Sequence, residues 1–227
     1  MTAKEAFFLE AGIMPIKCIL SKRRLLYLWN ILNRNDNELL KRFYHTQKLL
    51  RTKNDWVELV EQDKEDFGID ISDDEISKMK ESKFKSLVNK SVIQKSLDHL
   101  NTVADGHSKS KNLVKPKMVR EPYFDDSRFS RSDIELLFSL RTRMLDLKGN
   151  FSNKYGLDIA CRVCKVQIEC QEHILKCEVL KKNVDVPSQV VYEDIFRNVD
   201  KQLEVVKAFR ILLREREIFM NTEAREA

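Results

Sequence analysis

The chain has 227 residues, of which 42% are hydrophobic and 34% charged, with 5 Gly and 4 Pro. That length allows a sizeable core in one or two domains, and so little Gly and Pro argues against a turn-rich sandwich or barrel and for an all-α fold. The net charge of +5 is unevenly spread: residues 1–53 hold 11 Lys/Arg against 4 Asp/Glu, residues 54–106 hold 7 against 13, residues 107–182 hold 16 against 10, and residues 183–227 hold 7 against 9. Two readings of this pattern are open. The basic blocks can form a surface that neutralises phosphates, or the first can dock on the acidic block beside it. Four of the 5 Cys fall between Cys161 and Cys177, so they do not make a secreted disulfide framework. No apolar stretch reaches the ~18 residues of a membrane span, and no signal-peptide pattern opens the chain. The expectation is an intracellular protein of the nucleus or cytoplasm, not secreted and with no membrane partner.

In chain order, Ile16, Ile19, Leu20, Leu26 and Trp29 recur at helical spacing after Pro15 and predict a helix to about Asn33, with Lys22, Arg23 and Arg24 on its polar side. Asp36 can cap a second helix running to about Leu50, and Asn54 or Asp55 a third around Trp56. Ser72 and Glu75 make a capping-box signature, followed by apolar faces continuing to about Val103 with a break near Ser82. Trp29, Trp56, Phe43 and Tyr44 follow helical periods and are read as core. His45, His99 and His107 are read as surface residues, with no nucleophile in a recognisable setting beside them.

Residues 1–104 are therefore expected to be a helical, bundle-like region, 105–131 a basic connector broken by Pro116 and Pro122, and 132–227 a second helical part. The connector carries Lys109, Lys111, Lys115 and Lys117. Ser132 and Glu135 suggest a second capping box, opening a helix that includes Arg141 and Arg143 and that Gly149 can stop. A short helix near Tyr192 and a longer one through Leu213 complete the chain, with 221–227 expected to fray. Tyr123-Phe124-Asp125-Asp126 matches the Y-x-D-D pattern whose carboxylates hold catalytic metals in reverse transcriptases. Its flanks do not read as buried strands, so it is read as an acidic loop, and no polymerase activity or small-molecule substrate is expected.

The chemistry concentrates in Cys161-x2-Cys164, eight intervening residues, then His173-x3-Cys177. Three thiolates and one imidazole supply the tetrahedral donor set that zinc prefers, and a closed set of four leaves no position for a reacting water. The x3 spacing predicts that His173 and Cys177 project from one helix face. Cys170 is a fifth candidate, read as a bystander thiol. The alternative for the whole cluster is a group of buried or redox-active thiols.

Four stretches carry a family resemblance: Glu10 to Lys17 with Lys22 to Leu32; residues 84–108 with Lys109; Leu137 to Leu145; and the Cys161 to Cys177 cluster. In these the chain resembles the region after the reverse-transcriptase palm in the long open reading frame of non-LTR, LINE-like retrotransposons. The resemblance implies a piece or remnant of a larger polymerase lacking its catalytic carboxylates, with Cys161, Cys164, His173 and Cys177 as zinc ligands. It also implies nucleic-acid contact, and the charge blocks together with the cysteine cluster point to RNA or DNA backbone met through Lys22, Arg23, Arg24, Lys109, Lys111, Lys115, Lys117, Arg141 and Arg143. The other expectation is a zinc-stapled helical subunit that binds a protein partner.

Overall fold

The computed structural model describes residues 3–50, 52–107, 109–182, 184–187 and 189–226. Ser108, within the expected connector and at the end of one resembling stretch, lies outside the described residues, as do Met1, Thr2 and Ala227. The helices are α1 (Ala3–Ala11), α2 (Ile16–Leu32), α3 (Leu39–Leu50), α4 (Trp56–Asp66), α5 (Asp73–Lys78), α6 (Glu81–Asp105), α7 (Arg131–Arg141), α8 (Ser152–Tyr155), α9 (Gln171–Ile174), α10 (Glu178–Lys181) and α11 (Val199–Glu226). Among the described residues there is no β-strand, and the fold is all-α with a single isolated antiparallel bridge between Ala160 and Ile168. No helix among them is long and apolar enough to cross a membrane.

Two compact units divide the chain. One comprises residues 12–103 with 115–118; the other comprises 1–11, 104–114 and 119–227. One break falls at residue 104, and the first helix groups with the C-terminal residues rather than with its neighbours in sequence. The segment 105–131 is not a free connector either, since Leu113, Tyr123 and Phe129 are buried in it.

In the unit of residues 12–103, α2 packs against α3, α4 and α5. Its core gathers Leu25, Leu28 and Ile31 of α2, Tyr44 of α3, Val60 of α4, Ile76 of α5 and Phe84 and Val88 of α6. Asp55 caps α4 by accepting from the Glu58 N–H at 2.8 Å, and Ser72 with Glu75 forms a complete capping box on α5. The break after α5 falls at Met79, which is extended and accepts the Trp29 indole N–H at 3.0 Å, rather than near Ser82. Asp36 lies in the turn before α3 and pairs with Lys41 at 2.7 Å rather than capping the helix. Of the four aromatic residues expected in the core, Tyr44 is buried and the two Trp are half-buried, but Phe43 is 58% exposed.

Basic and acidic blocks meet inside this unit. Arg24 forms a two-pronged pair with Asp63, at 2.7 and 2.9 Å, and Lys17 lies 3.6 Å from Asp66. Asp73 accepts the Tyr44 hydroxyl at 2.7 Å and pairs with Lys48. Burial alone would raise the Asp73 pKa, but Lys48 and Tyr44 outweigh it and hold the carboxyl below its usual range. A carboxyl depressed on folding contributes stability that is present above its unfolded pKa of about 4 and is lost as pH falls through the lower folded value. Asp73→Asn is therefore expected to cost about 1.5 kcal/mol at neutral pH and almost nothing in strong acid, measured by urea unfolding across pH.

The other unit has its own core of Leu137 and Leu140 on α7, Leu147, Cys161, Ile174, Cys177, Tyr192 and Ile195, with Val205, Val206, Phe209 and Leu212 on α11. Ser130 with Asp133, not Ser132 with Glu135, forms the capping box of α7. Both pairs satisfy the same pattern; the earlier one wins because Asp133 reaches back to the Ser130 N–H at 2.9 Å. The helix stops at Arg141, with Thr142 as its C-cap and Arg143 at φ +55, well before Gly149. The last helix continues to Glu226 instead of fraying from residue 221.

A buried ionic network holds α1 in this unit. Glu10, fully buried, accepts from Arg141 at 2.7 and 3.1 Å and from the Tyr123 hydroxyl at 2.9 Å, while Arg141 also donates to the Ile195 carbonyl at 2.6 Å. Asp125 and Asp126 of the Y-x-D-D segment pair with Arg120 at 3.0 Å and Arg128 at 2.9 Å, and Tyr123 sits in a 3-10 turn.

Candidate metal centre

The site is built from a narrow ribbon and two single-turn helices. The Cys161 N–H donates to the Gln167 carbonyl at 2.7 Å, and the Glu169 N–H donates to the Ile159 carbonyl at 2.9 Å. Between them the chain turns tightly through Cys161 to Lys165. The Lys165 N–H closes the turn on the Cys161 carbonyl at 2.9 Å, with Lys165 itself in the left-handed region at φ +59. His173 lies on α9. Cys177 is the extended residue that precedes α10, so the two donors come from α9 and from the residue ahead of the next helix, not from one helix face as their spacing predicted.

The loop at Gly149 packs against this ribbon. Its N–H donates to the Glu169 carbonyl at 2.9 Å, and a Cβ at Gly149 would stand 2.8 Å from that same oxygen, a distance no larger residue tolerates. This close approach, rather than a helix stop, is what glycine supplies at 149.

Four donor atoms converge. The Sγ atoms of Cys161, Cys164 and Cys177 and a ring nitrogen of His173 all lie within 4.8 Å of one another, with Cys164 Sγ 3.3 Å from His173 Nε2. Donors held at ~2.0–2.3 Å around one tetrahedral ion stand roughly 3.5–3.8 Å apart, so the group needs little movement to close on a metal. Cys161, Cys177 and His173 are buried and Cys164 is half-buried. The fifth thiol, Cys170, is outside the group and lies against Glu172 and Arg143.

Burial governs the protonation of these donors. It pushes the Cys161 thiol up to about 11 and raises Cys177 as well, while it lowers the His173 pKa and favours the neutral imidazole that a metal requires. At Cys164 burial also pushes upward, but the Gln167 and Val166 N–H groups outweigh it and the thiol falls below its usual value. Metal uptake must therefore release protons from Cys161 and Cys177.

Two residues around the donors gave no signal in the sequence. Gln167 Oε1 lies 2.8 Å from His173 Nδ1 and so assigns the ring proton to Nδ1, leaving Nε2 to face the cysteines. Glu169, fully buried, accepts from Arg216 Nε at 3.0 Å and from the Lys148 N–H at 2.9 Å, tying the ribbon to α11 and to the Gly149 loop. Neither position belongs to a ligand spacing, and each partner lies at a sequence distance that no local pattern encodes. Gln167→Leu is expected to weaken metal affinity about 10–100-fold in chelator competition, and Gln167→Glu to keep it, because the carboxylate still accepts from Nδ1.

The nine basic residues proposed for nucleic acid are distributed over both units and differ in availability. Arg141 is buried, and its guanidinium is satisfied by Glu10, Glu121 and the Ile195 carbonyl, so the expectation that it contacts phosphate is corrected. Arg143 pairs with Glu172 and stacks over the Tyr192 ring at 5.0 Å, and Arg24 is held by Asp63. The Lys109 ammonium donates to the Asn150 carbonyl at 2.5 Å. Arg23, Lys111 and Lys117 are exposed, and Lys22 and Lys115 half-buried. His45, His99 and His107 are exposed.

No protein-family model matches the chain, and neither the curated proteins nor the solved structures include a significant match.

Proposed function

We propose that the Cys161, Cys164, His173 and Cys177 group holds one structural zinc ion, and that the chain is a non-catalytic, zinc-stapled helical module derived from a retrotransposon protein, contacting RNA or DNA backbone. The convergence of the four donors carries the metal reading. Three sulfurs and one nitrogen in a compact set suit zinc over the oxygen-seeking divalent ions, and a set closed at four leaves no open position for substrate. Elemental analysis of the purified protein is expected to return about one zinc per chain. Cys177→Ser should abolish its retention and Cys170→Ser should not; the reverse order would overturn the ligand assignment.

The nucleic-acid reading is supported by the resemblance of the sequence and by the exposed Arg23, Lys111 and Lys117, with Lys22 and Lys115 partly accessible. Filter binding across a salt series tests it. Backbone contact predicts an affinity that falls steeply with salt, and binding that is absent or insensitive to salt would sink it.

A further inference from the structure

The α2 and α3 helices leave an apolar seam uncovered. On α2 the exposed Ile16, Leu20 and Tyr27 recur at i, i+4 and i+11, one stripe of the helix, with exposed Arg23 at i+7. On α3, Leu39, Phe43 and Leu50 recur at i, i+4 and i+11, and they are 79%, 58% and 69% exposed. Between the helices lies a cavity of about 170 Å³ walled by Tyr27, Leu40, Phe43, Tyr44 and Trp56. The Tyr27 and Tyr44 rings stand nearly perpendicular to Trp56, with centroids 6.0 and 6.1 Å away. A soluble protein rarely exposes so many large apolar side chains side by side unless they meet a partner.

The size and charge of this surface select the partner. The cavity is smaller than the roughly 300 Å³ at the low end of small-molecule sites and suits one Leu- or Phe-sized anchor. Most of the exposed seam is aliphatic, which offers no stacking face to a nucleic-acid base. Together α2 and α3 carry Lys17, Lys22, Arg23, Arg24, Lys41, Arg42 and Lys48 and not one Asp or Glu. Arg24, Lys41 and Lys48 are neutralised by acidic neighbours, whereas Arg23 and Arg42 stand exposed beside the seam.

We infer that the α2–α3 seam is a docking groove for an acidic amphipathic helix of a partner protein, its apolar stripe laid along Leu20, Tyr27, Leu39 and Phe43 and one bulky side chain seated in the aromatic cavity. Its carboxylates face Arg23 and Arg42. This is helix-in-groove recognition, read from anchors at i, i+4 and i+7 on the incoming helix. The inference does not depend on zinc, because the metal donors lie in the other unit; it gives Arg23 to carboxylates rather than to phosphate, so RNA enters the test as a competing occupant.

The test uses the full-length protein and a labelled synthetic helical peptide with Leu or Phe at i, i+4, i+7 and i+11 and Glu at the polar positions, read by fluorescence anisotropy. An isomeric peptide with Lys for every Glu, single-stranded RNA and vesicles containing an anionic lipid serve as competitors. The Glu peptide is expected to bind, more weakly as salt rises, and the Lys peptide not to bind. Phe43→Glu should weaken binding about tenfold or more, and Leu39→Asp should weaken it too; both side chains are exposed, so helix content and the unfolding midpoint should not move. Equal binding of the two peptides, or unchanged binding by both variants, overturns the proposal. So does displacement of the peptide by RNA or vesicles, or association of the free protein into a dimer that Phe43→Glu disperses, because each assigns the seam to another occupant.

Discussion

Chelation of the metal is expected to remove the slow hydrogen exchange of amides between Cys161 and Cys177 and to lower the unfolding temperature of the C-terminal unit. The size of the effect follows from where the ligands sit. Cys161 and Cys177 are members of the same buried cluster as Leu140, Ile174, Leu180 and Phe209, so an ion held there would staple a ribbon and two single-turn helices to that core. Helices of four residues, such as α9 and α10, are too short to be stable alone. Structural zinc typically contributes on the order of 10 kcal/mol of apparent binding free energy at neutral pH, and in a site that forms only on folding this is folding free energy. Cys177→Ser should reproduce the loss with metal present, and Cys170→Ser should change little. Exchange protection that survives chelation would show the segment to be held by its apolar contacts and by Glu169 alone.

Glu10→Ala is expected to destabilise the same unit by about 3 kcal/mol in chemical denaturation. The substitution leaves the Arg141 guanidinium buried with its two bonds to Glu10 removed and the Tyr123 hydroxyl without its acceptor. Breaking a buried pair from one side costs about 3–5 kcal/mol, and the remaining contacts of Arg141 with Glu121 at 3.2 Å and with the Ile195 carbonyl place the effect toward the lower end. Replacing both partners, Glu10→Met with Arg141→Met, should recover much of the loss, because no uncompensated charge is left behind. Tyr123→Phe should cost about 1 kcal/mol, the value of one hydrogen bond. If the double variant is no more stable than Glu10→Ala, the loss comes from packing of α1 and not from the stranded charge.

What the sequence revealed was local. The α2 helix, the caps at Asp55 and Ser72 and the metal donors are encoded within a few residues of one another, through periodicity, N-cap chemistry and ligand spacing. His173 stands on α9 and Cys177 on the extended residue before α10 rather than on one helix face, yet the x3 step still brings them to one point. Features that depend on distant partners stayed hidden. Glu10 finds Arg141 across 131 positions, and Glu169 finds Arg216 across 47. Arg141 looked like a free cation because its charge was visible and its burial was not. The choice between Ser130 and Ser132 as the cap turned on which acidic side chain reaches back, a matter of a single residue that pattern alone does not resolve.

The placement of α1 bears on how the protein is made. The Arg141 that receives Glu10 is synthesised 131 residues after it, and the Ile195 carbonyl that completes the network later still. The contacts of α2 to α5 are all satisfied by residues that emerge in between. During translation residues 12–103 are therefore expected to fold before α1 has its partners, leaving Phe8 and Leu9 uncovered until Arg141 emerges. Contacts of such long sequence separation form slowly, and unpaired apolar helices are what chaperones bind. A nascent chain stalled before residue 141 should be captured by chaperones through residues 3–11, and one released after residue 195 should not.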